Sequence, residues 1–173
     1  METLKTILTR RSVRTYLSDA IPEPTVRTLL EAAMAAPSAL DQQPWQFVVA
    51  TGGKVRQALL IIDPASKGLT DAPVGILVCG DMRLVKLVDF WVQDVSACCQ
   101  NLLLAAHDAG LGAVWTGLHP MPDRTAAFRA LFGLPEEIVP FAFIPMGVPA
   151  APLPEKETFR PERIHSGKWT PGG

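Results

Sequence analysis

Three arginines and a serine stand close together in "TRRSVR", residues 9 to 14. Guanidinium forks match phosphate oxygens in pairs, and a serine hydroxyl adds a further donor. Arg10, Arg11, Ser12 and Arg14 therefore form a candidate phosphate site. The plainer alternative is a basic helix end that complements the macrodipole, worth about 0.3–1 kcal/mol per charge. No glycine-rich turn accompanies these residues, which excludes the P-loop and Rossmann classes. A second cluster, "AAPSALDQQPW" (35–45), is over-equipped for a turn. Pro37 and Pro44 restrict it, lowering the entropic cost of fixing Ser38, Asp41 and Gln43 around a ligand. Its alternative reading is a capped polar loop with Trp45 as a core anchor. In "GLGAVWTGLHP" (110–120), Gly112 and Gly117 flank a short apolar run. They either end elements or let the backbone approach a flat ring closely. Arg160, in "ETFRPERIH", reads singly as a surface charge.

Other chemistries are poorly represented. Ser38 lacks the Gly-x-Ser-x-Gly elbow of a hydrolase. Cys79, Cys98 and Cys99 are an odd count with two adjacent, a poor disulfide framework that suits a reducing compartment. Cys98 and Cys99 sit within an apolar helical pattern, where thiols are inert packing. His107 reads as a surface or capping residue, while His119, in the third cluster, borders a candidate pocket. No spacing of acids, cysteines and histidines suggests a metal. With so little acid, base or nucleophile of its own, the chain fits a protein whose cofactor carries the reaction.

The elements that must position these residues follow from periodicity. The 173 residues suit one domain, and 48% hydrophobic content suits a packed core. Lys plus Arg (16) nearly cancels Asp plus Glu (17), leaving no global field for nucleic acid or an anionic membrane. The opening residues lack the apolar core of a secretion signal, and no window approaches the ~18 uninterrupted apolar residues of a membrane span. A cytoplasmic location is expected. Leu4, Ile7 and Leu8 predict a helix over 2–10. After "IPEPT", Val26, Leu29, Leu30, Ala33 and Met34 mark the apolar face of a second helix, stopped by Pro37. "WQFVVAT" predicts a strand ending at Gly52-Gly53, followed by a helix over 54–62 broken by Asp63-Pro64. "APVGILVCG" (72–80) is apolar throughout, as a strand buried on both faces must be.

Trp91, Val95, Cys98, Leu102 and Ala106 predict a long helix over 89–109 with Gly110 after its end. "GAVWTG" predicts one short strand. Asp123 is placed to cap a helix running to Phe132 and ended by Gly133. "IVPFAFIPMG" predicts a last buried strand, with Pro140 ill-suited to its start. From Val148 onward prolines recur without a period. Phe159, Ile164 and Trp169 are costly to leave in water, so this tail should dock on something, a partner subunit being one candidate. Helices and strands mix without strict alternation, giving an α+β class with a central mixed sheet.

Taken in order, "RRSVR", "APSALDQQPWQFVV", "QNLLLAAHDAGLGAVWTG", "PMGVP" and "RPERIH...KW" resemble the FMN-dependent nitroreductase family over nearly the whole chain. The resemblance implies a three-layer α+β sandwich with a mixed, mainly antiparallel central sheet. It implies a single FMN-binding domain over 1–173, whose 148–173 tail packs on the partner of an intertwined homodimer. Arg10, Arg11, Ser12 and Arg14 would hold the phosphate and ribityl chain, joined by Arg160. Pro37, Ser38, Ala39, Asp41 and Gln43 would face the same flavin from the opposite subunit, and Val114, Trp115, Thr116 and Gly117 would line the ring edge. NAD(P)H would deliver hydride in a ping-pong cycle that reduces nitroaromatic, quinone or related acceptors, with no catalytic side chain named. Relatives of the same fold carry out dehalogenation, dehydrogenation or flavin cleavage, and a flavin-binding protein without turnover is a further alternative.

The chain departs from the family at Asp41, where Asn is usual. A carboxylate accepts hydrogen bonds and cannot donate. The chain is also short between Asp81 and Asp94, where roofing helices often lie. Trp91 and His119 are the expected acceptor-pocket walls.

Overall fold

The computed structural model describes residues 2–64, 72–155 and 157–169. In chain order the elements are α1 (Thr3–Thr9), α2 (Glu23–Met34), β1 (Trp45–Thr51), α3 (Gly53–Ile62) and β2 (Val74–Asp81). They continue with α4 (Trp91–Asp108), β3 (Gly112–Ala113), β4 (Thr116–Gly117), α5 (Pro122–Phe132) and β5 (Ile138–Gly147). Strands run in the order β1-β2-β5-β3, and β4 also pairs with β5. Every ladder between these strands is antiparallel. A parallel bridge, Ser12 to Ala113, attaches the arginine segment to the sheet.

β2 is buried along its entire length, and its side chains alternate between two cores. Ile76 and Val78 join Leu29, Ala33, Val95, Cys98, Leu102 and Ala106 beneath α2 and α4. Leu77 and Cys79 join Val55, Leu59, Phe128 and Phe143 beneath α3 and α5. Helices thus cover both sheet faces, which is why an unbroken apolar run can be a strand here. Truncating a fully buried core residue such as Leu102 to Ala costs about 2–5 kcal/mol.

Several boundaries follow the sequence closely, and others differ for local reasons. Gly110 and Gly133 take the left-handed φ values, 77° and 64°, that a helix-ending glycine permits. Asp123 does not cap α5: Met121 holds the cap position and Pro122 opens the helix. Proline's fixed φ suits that first helical position and its missing N–H costs nothing there; no side-chain cap bond forms. Pro140 lies inside β5, where a register shift between Val78 and Cys79 pairs Cys79 with Pro140 and Val78 with Ala142. The bulge absorbs the missing donor. "GAVWTG" is two short strands, β3 and β4, interrupted at Val114-Trp115.

α1 forms as its spacing predicts, but its apolar residues face away from the core. Only Thr6 is buried, while Leu4, Ile7 and Leu8 are 66%, 48% and 61% exposed. The tail leaves β5 beside the segment after α1, with Leu17 N–H donating to Val148 O (2.9 Å) and Ala150 N–H to Thr15 O (3.1 Å). Farther on, Phe159, Ile164 and Trp169 are 66%, 62% and 76% exposed. The chain's own core covers none of the three. Residues 156 and 170–173 of the tail lie outside the described residues.

Candidate functional site

Arg10, Arg11, Ser12 and Arg14 line one cavity of about 340 Å³, closed by Leu153, Pro154 and Thr158 of the tail. Val13 between them is buried, its N–H donating to Ala113 O at 3.0 Å. That bond pins the segment to the sheet edge and turns its arginines outward. Arg11 has a second task. Its Nε donates to Pro154 O (3.1 Å), and Nη1 donates to Leu8 O (2.9 Å) and Arg10 O (2.8 Å), latching tail to helix end. Arg10 and Arg14 make no side-chain hydrogen bond or ion pair among the described residues. Three guanidinium groups around one cavity repel one another, and a bound anion relieves that repulsion.

His107 shares this corner. Thr9 Oγ1 donates to Lys5 O (2.6 Å), so His107 Nε2, 2.8 Å away, donates to Thr9. Burial first, then Arg10 and Arg11, holds the His107 pKa below the usual histidine range.

The loop from Pro37 to Pro44 is held quite differently. Leu40, Asp41 and Gln43 all have left-handed φ values, 50°, 50° and 43°. Non-glycine residues there cost on the order of 1–2 kcal/mol each, least for Asp. Hydrogen bonds hold the shape. Ser38 Oγ accepts from Gln43 N–H (3.0 Å), and Asp41 Oδ1 accepts from Gln43 Nε2 (2.6 Å). Pro44 O accepts from Asp81 N–H (2.7 Å), fastening the loop's end to β2. Beneath it lies Asp94, a buried carboxylate in the first turn of α4. Its Oδ1 accepts from Ala39 N–H (2.9 Å) and its Oδ2 from Gln42 Nε2. Gln42 Oε1 accepts from Lys86 N–H (2.8 Å) and Leu87 N–H (3.0 Å).

At the sheet edge, Val114 is buried and Trp115 half-buried against Phe141, with ring centroids 5.7 Å apart. Thr116 Oγ1 donates to Phe143 O, and Gly117 O accepts from Arg124. A Cβ on Gly112 would fall within 2.6 Å of Val13, so this glycine makes room for Val13. A Cβ on Gly117 would meet only Met121, at 3.7 Å. Trp91 is buried in the core beneath α2 and α4, in T-shaped contact with His119 (ring centroids 4.9 Å apart) and Phe141 (5.7 Å). Half-buried His119 has its pKa lowered by desolvation. All three cysteines are buried, and burial pushes the Cys79 and Cys98 thiols up to about 12 and Cys99 higher still, which suits packing. No metal-binding cluster occurs among the described residues, and no helix there is long and apolar enough to cross a membrane.

The model of the nitroreductase family matches residues 7–62 and 61–148. The chain belongs to the nitroreductase family. A Methanothermobacter thermautotrophicus protein, named provisionally as an NADH dehydrogenase/NAD(P)H nitroreductase, is 46% identical over 169 residues, covering 98% of this chain and 88% of that one. A crystal structure from Parabacteroides distasonis, provisionally named in the same way, superposes with a TM-score of 0.90. It is 38% identical and covers 98% and 99% of the two chains. A provisionally named nitroreductase of Desulfovibrio desulfuricans, solved in complex with FMN, is 28% identical over 98% and 99% of the chains, with a TM-score of 0.78. The expected family, sandwich fold and class of FMN-dependent NAD(P)H oxidoreductase stand on this membership.

Within one nitroreductase chain the candidate residues fall into separate groups. Arg10–Arg14 and β3–β4 meet through the Ser12–Ala113 bridge. Arg160 is not among the cavity's lining residues; its Nη1 donates to Phe159 O at 2.8 Å. The loop is tied to Asp94 near one end of α4, and Thr9, which adjoins the arginine segment, to His107 near the other. Thirteen residues at 1.5 Å rise put those anchors about 20 Å apart. Gln42 and Asp94 were not singled out from sequence. The signal was present: Asp94 lies three residues after Trp91, on the apolar face continued by Val95, Cys98 and Leu102.

Proposed function

We propose that this chain works as a homodimer holding FMN between subunits and reducing small acceptors such as nitroaromatics and quinones with NAD(P)H. The arginine cavity carries the reading. Its size, three guanidinium groups and serine suit a phosphate monoester, and Arg10 and Arg14 have donors to offer it. Arg160 would join them once the tail is packed on a partner.

Two further observations support the shared site. Anchors about 20 Å apart leave the loop and the arginine segment of one chain on different stretches of surface, so the loop of a second chain would complete the pocket. The exposed apolar residues of α1 and the tail, Leu4, Ile7, Leu8, Phe159, Ile164 and Trp169, supply the area that a stable interface needs.

The chemistry that FMN supplies when bound is two-electron transfer, taking hydride from NAD(P)H and yielding it to the acceptor in alternating half-reactions. The protein's residues do the rest. Arg10, Arg11, Ser12 and Arg14 fix the phosphate. Pro37, Ser38, Ala39, Asp41 and Gln43 present a rigid polar edge, and Val114–Gly117 wall the ring against water.

The purified protein should be yellow, release FMN on denaturation, and bleach anaerobically with NADH or NADPH. It should elute as a dimer. A colourless protein that takes up no added FMN overturns the reading, and a monomer with full FMN occupancy overturns the shared site. Bound flavin that NAD(P)H cannot reduce would instead indicate a binding protein without turnover.

A further inference from the structure

We infer that Asp94 and Gln42 form a polarity-coded brace that holds the loop 38–43 in its left-handed shape, and that they are positioning residues for the flavin-facing edge. The second half of this inference rests on the proposed function. Both Asp94 oxygens accept, one from Ala39 N–H and one from Gln42 Nε2. The Gln42 amide can lie only one way. Its oxygen receives two backbone N–H groups, from Lys86 and Leu87, and its nitrogen must face the carboxylate. Asp94 and Gln42 are each only 5% exposed, so water cannot replace a lost partner. The brace therefore joins three segments: the loop, the first turn of α4, and the 86–87 connection.

The loop needs such a device because its backbone is unfavourable on its own. Leu40 and Asp41 adopt φ near 50° with exposed side chains, so no burial of their own holds them there. Leu40 O also faces Lys86 Nζ at 3.4 Å. A relaxed loop would turn Ser38, Ala39 and Asp41 away from their present directions without disturbing either core.

The donor pattern makes the inference separable from general damage. Asp94→Asn sets an amide donor against either Ala39 N–H or Gln42 Nε2, whichever way it turns. Gln42→Glu sets a second carboxylate against Asp94. The double variant Asp94→Asn/Gln42→Glu satisfies every bond again. The amide introduced at position 94 would accept from Ala39 N–H and donate to the carboxylate introduced at position 42. That carboxylate would still accept from Lys86 and Leu87.

Amide hydrogen exchange by NMR on the flavin-free protein reads the brace directly, and FMN titration reads its consequence. Each single variant should speed exchange at Ala39, Lys86 and Leu87 by about tenfold or more and weaken FMN binding by about tenfold, and the double variant should recover both to within about threefold. Unchanged exchange in the single variants, or a double variant that does not recover, overturns the brace. Faster exchange with unchanged FMN affinity overturns the positioning role. If Asp94→Asn alone does not fold, the double variant decides, since it must fold and bind FMN like wild type. A wild-type protein that takes up no FMN sinks the reading of the site, while the exchange series still decides the brace.

Discussion

The arginine segment 10–14 lies near the C-terminal end of α4 and the loop 37–44 near its N-terminal end, and the two are held by different physics. Around the first, charge is concentrated and little shape is enforced: Arg10 and Arg14 line a cavity without partners among the described residues. Around the second, charge is sparse and shape is strongly enforced. Three left-handed residues are fixed by a buried carboxylate, a buried amide and two further side-chain bonds. The first region is built for affinity toward an anion, which needs field more than geometry. The second is built for orientation, which needs geometry before the ligand arrives.

The largest effect should come from removing field. Arg10→Ala/Arg14→Ala should weaken FMN binding by about 10²-fold or more, since each charged hydrogen bond lost is worth about tenfold. The flavin-free protein should stay at least as stable as wild type, because like-charge repulsion is relieved. Fluorescence quenching of FMN and thermal melts of the apoprotein measure the two. A stability loss with intact affinity would break the contrast. Next, Gln42→Ala strands two backbone N–H groups and one carboxylate oxygen, and should cost about 1–3 kcal/mol in urea unfolding. A change under about 0.5 kcal/mol, the ordinary scatter of surface substitutions, would mean that the loop is not held as described.

Salt sharpens the same comparison. Raising ionic strength about tenfold, from about 0.05 to about 0.5 M, should weaken FMN binding several-fold in wild type and much less in the double arginine variant. The loss seen in Gln42→Ala should be the same at either salt. Asp41→Asn removes a charge from the loop and should raise the flavin midpoint potential. At high dielectric one charge is worth about 1 kcal/mol, or about 20 mV for a two-electron couple. An unchanged or lower potential would dismiss any electrostatic role for Asp41.

The smallest effect concerns pH and belongs to the arginine corner. The folded-state pKa of His107 is depressed, so the unfolded chain binds more protons in the window just below the ordinary histidine value of about 6.5. Stability therefore falls as pH drops through that window. His107→Gln should flatten the melting-temperature decline between roughly pH 7.5 and 5. Its residual decline would come partly from His119, whose pKa is lowered by burial.

Legibility followed the range of the interactions. β1 was readable to the residue, because β-branched and aromatic residues between a proline and two glycines leave few options. α4 was readable to within two residues from its apolar spacing and the following Gly110. The interruption at Val114-Trp115 was not, since "GAVWTG" carries no breaker between its glycines and the split is set by pairing with β5. The loop's ligand-like polarity was legible in Ser38, Asp41 and Gln43. Its anchor was not: Gln42 and Asp94 are 52 positions apart and meet only when α4 packs beneath the loop.

By itself, then, the sequence determined the order of elements, the apolar faces of α2 and α4, the doubly buried β2, and which residue types could hold a phosphate. Those are properties of neighbours along the chain, set by periodicity, turn chemistry and side-chain charge. Only the tertiary structure decided which glycine yields to Val13, that the apolar face of α1 looks outward, and that Asp94 and Gln42 hold the loop. These depend on distances between segments, and a distance through space has no local signature in the chain that spans it.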